Sequence, residues 1–113
     1  MSSYPYSVKE VVSFFKKYDI YIVQRKDNKN HRFIASVNKT TDDAEEFIRN
    51  KINENNCIKE LVSDRDYPGN YLYVFKAEFE KHKCYIKLTI KEKLKRIVVI
   101  SFHEDEVRIN EKY

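Results

Sequence analysis

The chain has 113 residues, with 22 Lys or Arg, 18 Asp or Glu and a formal net charge of +4. This length suffices for one core and excludes two full domains, while nine Tyr and seven Phe exclude a disordered chain. We therefore predict a single domain over residues 1–113. The small basic excess suits a polyanionic partner such as RNA, although a lysine-rich solvated surface explains it equally well.

Targeting signals are absent from the sequence pattern. The first eight residues are polar and aromatic, unlike a secretory h-region, and no run approaches the roughly 18 apolar residues of a membrane span. Cys57 and Cys84, without a signal peptide, are typical of reduced cytosolic thiols. We predict a cytoplasmic protein that does not associate with membranes.

The N-terminal third predicts a helix followed by a hairpin. Residues 7–10 read S-V-K-E, the S-x-x-E form of a capping box, and apolar residues follow them. This pattern predicts a helix near 8–17. Two strand-like runs, 20–25 and 31–37, flank a turn-like segment at 27–30, which predicts a β-hairpin.

The remaining elements are a helix and four strands. Hydroxyl and acidic residues at 40–43 cap a second helix, whose apolar residues recur at helical spacing as far as Ile52. Beyond Asn56 the apolar period becomes two, and strands are predicted near 57–62, 71–78, 83–90 and 96–102. The fold class is therefore α+β, an antiparallel sheet with the N-terminal and central helices packed on one face.

Two hairpins place the side chains of the last three strands on faces. A turn at 79–82 sets Lys76 opposite Tyr85, with both on the side away from the core. If Ile86 lies opposite Ile100, Ser101 lies beside Tyr85 and the next outward residue is His103. The surface predicted in this way comprises Lys76, Tyr85, Lys87, Ser101 and His103.

These side chains suit metal-free cleavage of RNA. The 2′-OH must be deprotonated to attack the phosphate, and the departing 5′-oxygen needs a proton. An unperturbed histidine has a pKa of about 6.5, so His103 can take either role. Lys76 and Lys87 can stabilise the charged phosphate or lower the pKa of Tyr85. Tyr85 can instead stack on a base, and so can Tyr73 if the predicted register is wrong or if Tyr73 lies at the sheet's edge.

Four segments of the C-terminal half resemble the MqsR-like toxins of the RelE/ParE superfamily. Residues 63–69, 73–76, 84–89 and 99–104 read SDRDYPG, YVFK, CYIKLT and VISFHE. The family's segments read approximately as an S-D loop, a D-V-Y-K-like strand, Y-I-K-L-T and V-I-S-F-H/K-E. The likeness extends over 58–104, and upstream of it only the order of helix, strand and helix is similar.

The resemblance implies a RelE-like fold and a type II toxin that cleaves mRNA without metal or cofactor, either free or on the ribosome, until an antitoxin neutralises it. Tyr85 matches the family's catalytic tyrosine, and His103 stands where members have Lys or His. Lys59 matches the lysine before the loop, across a small gap that leaves Glu60 as the alternative. Where members have Gln on the next strand, this chain has Leu72 or Tyr73, so one catalytic position is unfilled.

The predicted site has catalytic and RNA-binding members. The catalytic residues are Tyr85, His103, Lys59 and Lys87, and the RNA-binding residues are Lys76, Arg65 and Tyr73. Each has a structural alternative; Arg65, for example, lies between two aspartates that can pair with it. No metal is predicted, because His82 and Cys84 share a face from which His103 is excluded and no C-x-x-C accompanies them.

Two other functions fit the same features. A ParE-like toxin of this fold binds a protein target and cuts nothing, and a non-toxic module binds RNA or protein. The sequence does not distinguish these from an mRNA endoribonuclease.

Overall fold

The structure, a computed structural model, describes residues 6–24, 27–61 and 71–104. Its helices are α1 (Val8–Phe14), α2 (Lys29–Ser36) and α3 (Thr41–Lys51), and its strands are β1 (Asp19–Ile22), β2 (Cys57–Leu61), β3 (Leu72–Phe79), β4 (His82–Lys91) and β5 (Arg96–Glu104). Single 3-10 turns occupy Glu54–Asn56 and Glu92–Leu94. The fold is α+β, as predicted. Within these ranges, no helix has the length and apolar character needed to cross a membrane.

The five strands form one sheet in the order β1-β5-β4-β3-β2. Strands β2 to β5 form the predicted antiparallel meander. Strand β1, however, pairs in parallel with β5, with Ile20 opposite Ile97. The sheet is therefore mixed, and the prediction of a wholly antiparallel sheet is wrong.

The predicted strand at 31–37 is wrong, because this segment lies in helix α2. Asn30 and Ile34 are its buried residues, and Phe33 and Val37 pack against the core beside them. These positions follow i, i+3, i+4 and i+7, which is the spacing of one helical face. The turn predicted before it instead leads into the helix, where the Asp27 carboxylate accepts a hydrogen bond from the Lys29 N–H at 3.0 Å.

All three helices bury side chains against one side of the sheet, which we call the inner face. The core there combines helical residues with alternate residues of the strands, namely Val11, Phe15, Ile34, Ala44, Ile48, Tyr73, Phe75, Ile86, Leu88, Val99 and Phe102, among others. The opposite side, the outer face, carries the residues between these. Leu72 and Val74 point to the outer face and are also fully buried.

The β3–β4 hairpin has the predicted register. Glu80 and Lys81 form its two-residue turn with φ values of 50° and 71°, the left-handed conformation that suits the twist of a tight hairpin. Lys76 consequently lies opposite Tyr85, and Val74 lies opposite Lys87.

Helix α3 begins with a capping box whose strength depends on pH. The Asp43 carboxylate accepts hydrogen bonds from the backbone N–H of Thr40 at 2.9 Å and from its hydroxyl at 3.1 Å. These bonds lower the pKa of Asp43 below its ordinary value of 3.8. The resulting stabilisation is present above the unfolded-state pKa and is lost as the pH falls through the folded-state pKa.

We expect Asp43→Ala to lower the urea midpoint of unfolding at neutral pH and to have a shrinking effect as the pH falls through the folded-state pKa of Asp43. Urea unfolding followed by circular dichroism at neutral and acidic pH measures the difference. Asp42→Ala is the matched control, because it removes a carboxylate from the same turn and leaves both Thr40 hydrogen bonds in place. A loss of stability from Asp43→Ala that is equal at all pH values would contradict this role.

Candidate functional site

Strand β5 contains a bulge that its own core residues require. Val99 and Phe102 are both fully buried in the inner core, yet they are three residues apart. A regular strand alternates faces at every residue and cannot send both inwards. The register accordingly shifts between Leu88, which lies opposite Val99, and Lys87, which lies opposite Ser101. Ile100 is the additional residue.

The side chain of Asn30 holds this bulge from the neighbouring helix. Its Nδ2 donates to the carbonyl of Ile100 at 2.9 Å and to that of Val23 at 3.0 Å, and its Oδ1 accepts from the N–H of Phe102 at 3.0 Å. Asn30 is fully buried and lies in the first turn of α2. It therefore provides β5 with strand-like hydrogen bonds just beyond the point where β1 ends.

The bulge sets which residues of β5 face β4. Tyr85 lies opposite His103, and Ile86 lies opposite Phe102. The predicted pairing of Ile86 with Ile100 is therefore wrong by two residues. Because that displacement is an even number of residues, His103 still lies on the predicted face of the sheet, beside Tyr85. With one residue fewer, Phe102 would have taken the position opposite Tyr85.

Two rows of side chains cross the outer face. The first row is Lys76, Tyr85 and His103, contributed by β3, β4 and β5. The rings of Tyr85 and His103 are stacked, with centroids 5.9 Å apart and planes inclined by 16°. The second row is Val74, Lys87 and Ser101, on β3 to β5, and the backbone of Lys59 on β2 lies opposite Val74. Lys87 and Ser101 thus lie next to the stacked pair.

The imidazole of His103 has a defined proton position. Its Nδ1 lies 3.0 Å from the carbonyl oxygen of Glu104. A carbonyl oxygen can only accept a hydrogen bond, so Nδ1 is the nitrogen that carries the proton. In the neutral ring, Nε2 is then the basic nitrogen. This tautomer equips His103 to remove a proton through Nε2.

The remaining predicted site residues lie in three different places. Tyr73 points to the inner face, is fully buried and donates from its hydroxyl to the carbonyl of Tyr6 at 2.8 Å. The prediction that it binds RNA is therefore wrong, because a buried ring offers no face to a base. Lys59 lies opposite Val74 by backbone register, two strands from Lys87. Arg65 lies outside the described residues.

The histidine and cysteine weighed as zinc ligands lie on the inner side of β4. His82 Nδ1 is 3.1 Å from Glu104 Oε2, and Cys84 is buried next to them on the same face. His103 is on the other face, as the sequence predicted. In the described part of the chain, no three His, Cys, Asp or Glu side chains are grouped so that they could hold a metal ion.

Asn30 is the site residue that sequence reasoning missed. It stood in a predicted turn, where asparagine is common. The signal that points to it lies elsewhere, in the apolar pattern of β5. Buried residues at 97, 99 and 102 change phase within one strand, which requires a bulge whose backbone groups need partners.

No protein-family model, curated protein or solved structure matches the chain. The likeness to the MqsR-like toxins stays a prediction from the sequence.

We expect Asn30→Ala to destabilise the fold by about 3 kcal/mol, because it leaves the Ile100 carbonyl and the Phe102 N–H buried without partners. Urea unfolding measures this loss. We also expect the nuclear Overhauser effect between the rings of Tyr85 and His103 to weaken. Ser36→Ala, an exposed change in the same helix, is the control and should leave both quantities unaltered. An Asn30→Ala chain with an unchanged ring contact would contradict a positioning role.

Proposed function

We propose that the chain is a metal-independent endoribonuclease that cleaves mRNA at the Tyr85–His103 pair. The observation that carries the proposal is the stacking of these two rings on neighbouring strands, beside Lys76 and Lys87. A base, a hydroxyl donor and two ammonium groups on one rigid surface meet the needs of phosphodiester cleavage. Because the groups stand on strands, the sheet holds their spacing.

The reaction begins at the 2′-OH of the bound RNA. His103 Nε2 takes its proton, and the 2′-oxygen forms a bond to the adjacent phosphorus. The bond from phosphorus to the 5′-oxygen breaks, and the Tyr85 hydroxyl gives its proton to that oxygen. The products are a 2′,3′-cyclic phosphate and a 5′-OH, and proton return from His103 to Tyr85 through water restores the site.

The lysines act on the charge that develops during this step. Lys76 lies opposite Tyr85 on β3, and Lys87 lies two residues along β4 on the same face. Their ammonium groups stabilise the dianionic phosphorane and the tyrosinate that follows proton transfer. Val74 and Ser101, which flank Lys87 in the second row, are almost fully buried, so water has little access to the strands on either side of Lys87. Electrostatic attraction is stronger in such a place.

The biological setting that we propose follows the resemblance to MqsR-like toxins. A chain that cuts cytoplasmic mRNA, either free or on the ribosome, requires a neutralising partner in the cell that makes it. We propose a cognate antitoxin in that role and a type II toxin–antitoxin system as the setting. Lys59, whose backbone lies opposite Val74 on strand β2, is proposed to contact the substrate phosphate.

We expect purified protein to cleave a mixed-sequence RNA in EDTA and to leave 2′,3′-cyclic phosphate ends. Tyr85→Phe keeps the ring and removes only the hydroxyl, so it should slow cleavage by about a hundredfold or more while folding normally. His103→Ala should slow it by a similar factor. Denaturing gels and end-group mass spectrometry measure both. His82→Ala is the matched control, because it removes a histidine from the inner side of the same sheet.

Cleavage that survives both Tyr85→Phe and His103→Ala would refute the proposed site. If no RNA is cut, the same variants should be tested with translating ribosomes and by expression in cells. Toxicity that both substitutions leave intact would favour a toxin that binds a protein target.

A further inference from the structure

A second group of basic and aromatic residues lies where α1–β1 meets the β4–β5 turn. The N–H of Asp19 donates to the carbonyl of Lys95 at 3.1 Å, which ties the two connections together. Arg96 pairs with Asp19 on one side and with Lys91 on the other. We call the set Tyr21, Lys91, Lys93, Lys95 and Arg96 the basic corner. Arg96 and His103 stand at opposite ends of β5, about 20 Å apart along the strand.

The guanidinium of Arg96 is held in place by two neighbours. Its Nε donates to Asp19 Oδ2 at 3.1 Å, and its Cζ stands 5.8 Å from the centroid of the Tyr21 ring. The Arg96 side chain is nevertheless 44% exposed. Its two Nη atoms make no hydrogen bond to any residue that the structure describes. The Nη edge is therefore oriented and available.

The contacts of Arg96 favour phosphate binding more than they stabilise the fold. An exposed ion pair contributes little to folding, since water and salt screen it. A guanidinium that is already oriented, by contrast, loses less freedom when its two Nη groups grip a phosphate. Tyr21 is 47% exposed, although Arg96 stands over its ring. The exposed part of that ring can stack on a base, as aromatic rings do in single-strand binding proteins.

The residues around Arg96 add further positive charge. Lys93 and Lys95 are exposed on the turn that precedes Arg96, and Lys91 lies opposite Arg96. Of the nearby acids, Asp19 is paired with Arg96, Glu92 accepts a hydrogen bond from the Tyr6 hydroxyl, and Glu45 lies within electrostatic range of both Asp19 and Arg49. Burial and the Glu92 carboxylate raise the pKa of Tyr6 to about 12, so this proton stays in place at neutral pH. The corner therefore attracts anions.

We propose that the basic corner binds single-stranded RNA, with Arg96 gripping one phosphate and Tyr21 stacking on an adjacent base. The inference deepens the proposed function by adding a second contact to the same substrate, and it rests on that function for the identity of the ligand. An RNA of several nucleotides spans both contacts, so the corner holds the strand while Tyr85 and His103 act at the other end of the face.

The test is equilibrium binding of a fluorescent 2′-O-methyl RNA of about eight nucleotides, a length within the range that single-strand binding modules cover. This probe keeps the phosphates and bases but lacks the attacking 2′-OH, so the unaltered active site cannot cut it. Fluorescence anisotropy in EDTA at several salt concentrations gives the affinity and its salt dependence. Circular dichroism confirms that each variant is folded.

Three variants separate charge, fork geometry and stacking. Arg96→Gln should weaken binding about tenfold and reduce the slope of log affinity against log salt by about 0.7, the value for one phosphate contact on a single strand. Arg96→Lys should weaken binding but keep the slope, because the charge remains and the planar fork is lost. Tyr21→Leu should also weaken binding at an unchanged slope, by roughly five- to tenfold.

The control is Lys81→Gln, which removes one exposed positive charge at the β3–β4 turn, the opposite end of β4. It should leave affinity and slope as in the wild type. If Lys81→Gln weakens binding as much as Arg96→Gln does, only net charge matters and the proposal is overturned. A wild-type chain that does not bind the probe also overturns it.

The outcome is independent of the cleavage experiment. If Tyr85→Phe abolishes cleavage while the Arg96 and Tyr21 variants bind RNA like the wild type, the ribonuclease stands and the basic corner fails. If those variants lose binding as described and no RNA is cut under any condition, the corner stands as a single-strand contact and the catalytic proposal fails.

Discussion

The amide of Asn30 determines which way the end of β5 faces. Its three hydrogen bonds satisfy backbone groups next to the bulge in β5. Asn30 is fully buried, so losing these bonds would lower the free energy of unfolding substantially. The bulge in turn allows Val99 and Phe102 to enter one core while His103 reaches the opposite face. Core packing and the candidate chemistry are thus joined through a single side chain.

The two faces of the sheet differ in composition along β3, β4 and β5. The inner face is packed by aromatic rings, with Phe79 and Phe102 meeting edge to face at a centroid distance of 5.1 Å. Across the same strands, the outer face carries lysines, Tyr85 and His103. Packing of the aromatic core restricts the movement of the outer-face side chains, because both kinds of residue stand on the same strands.

The sequence predicted those features that depend on residues close together in the chain. The β3–β4 hairpin was predictable because Glu80 and Lys81 fall between two runs of period two, and the register follows from the turn. The capping boxes at Ser7 and Thr40 are likewise local. The α+β class and the grouping of Tyr85 with Lys76 followed from these elements.

The features that were not predictable involve distant residues or a break in periodicity. Residues 31–37 have strand-like side chains, and only their burial pattern shows the helical face formed by Asn30 and Ile34. The partner of β1 is the last described strand, and no local pattern identifies a parallel neighbour so far along the chain. The register of β5 was wrong by two residues, one because the turn pairs Lys91 with Arg96 and one because alternation was assumed to continue through Ile100.

The pairing of β1 with β5 also determines when the described sheet can be completed during synthesis. Strand β1 is made early, but its hydrogen-bonded neighbour begins only at Arg96, and the β5 groups that Asn30 binds follow later still. Such contacts have high sequence separation and form late. A nascent chain that stops before β5 therefore has an open sheet edge and no assembled Tyr85–His103 pair. Any activity at that pair is withheld until nearly all of the described fold has left the ribosome.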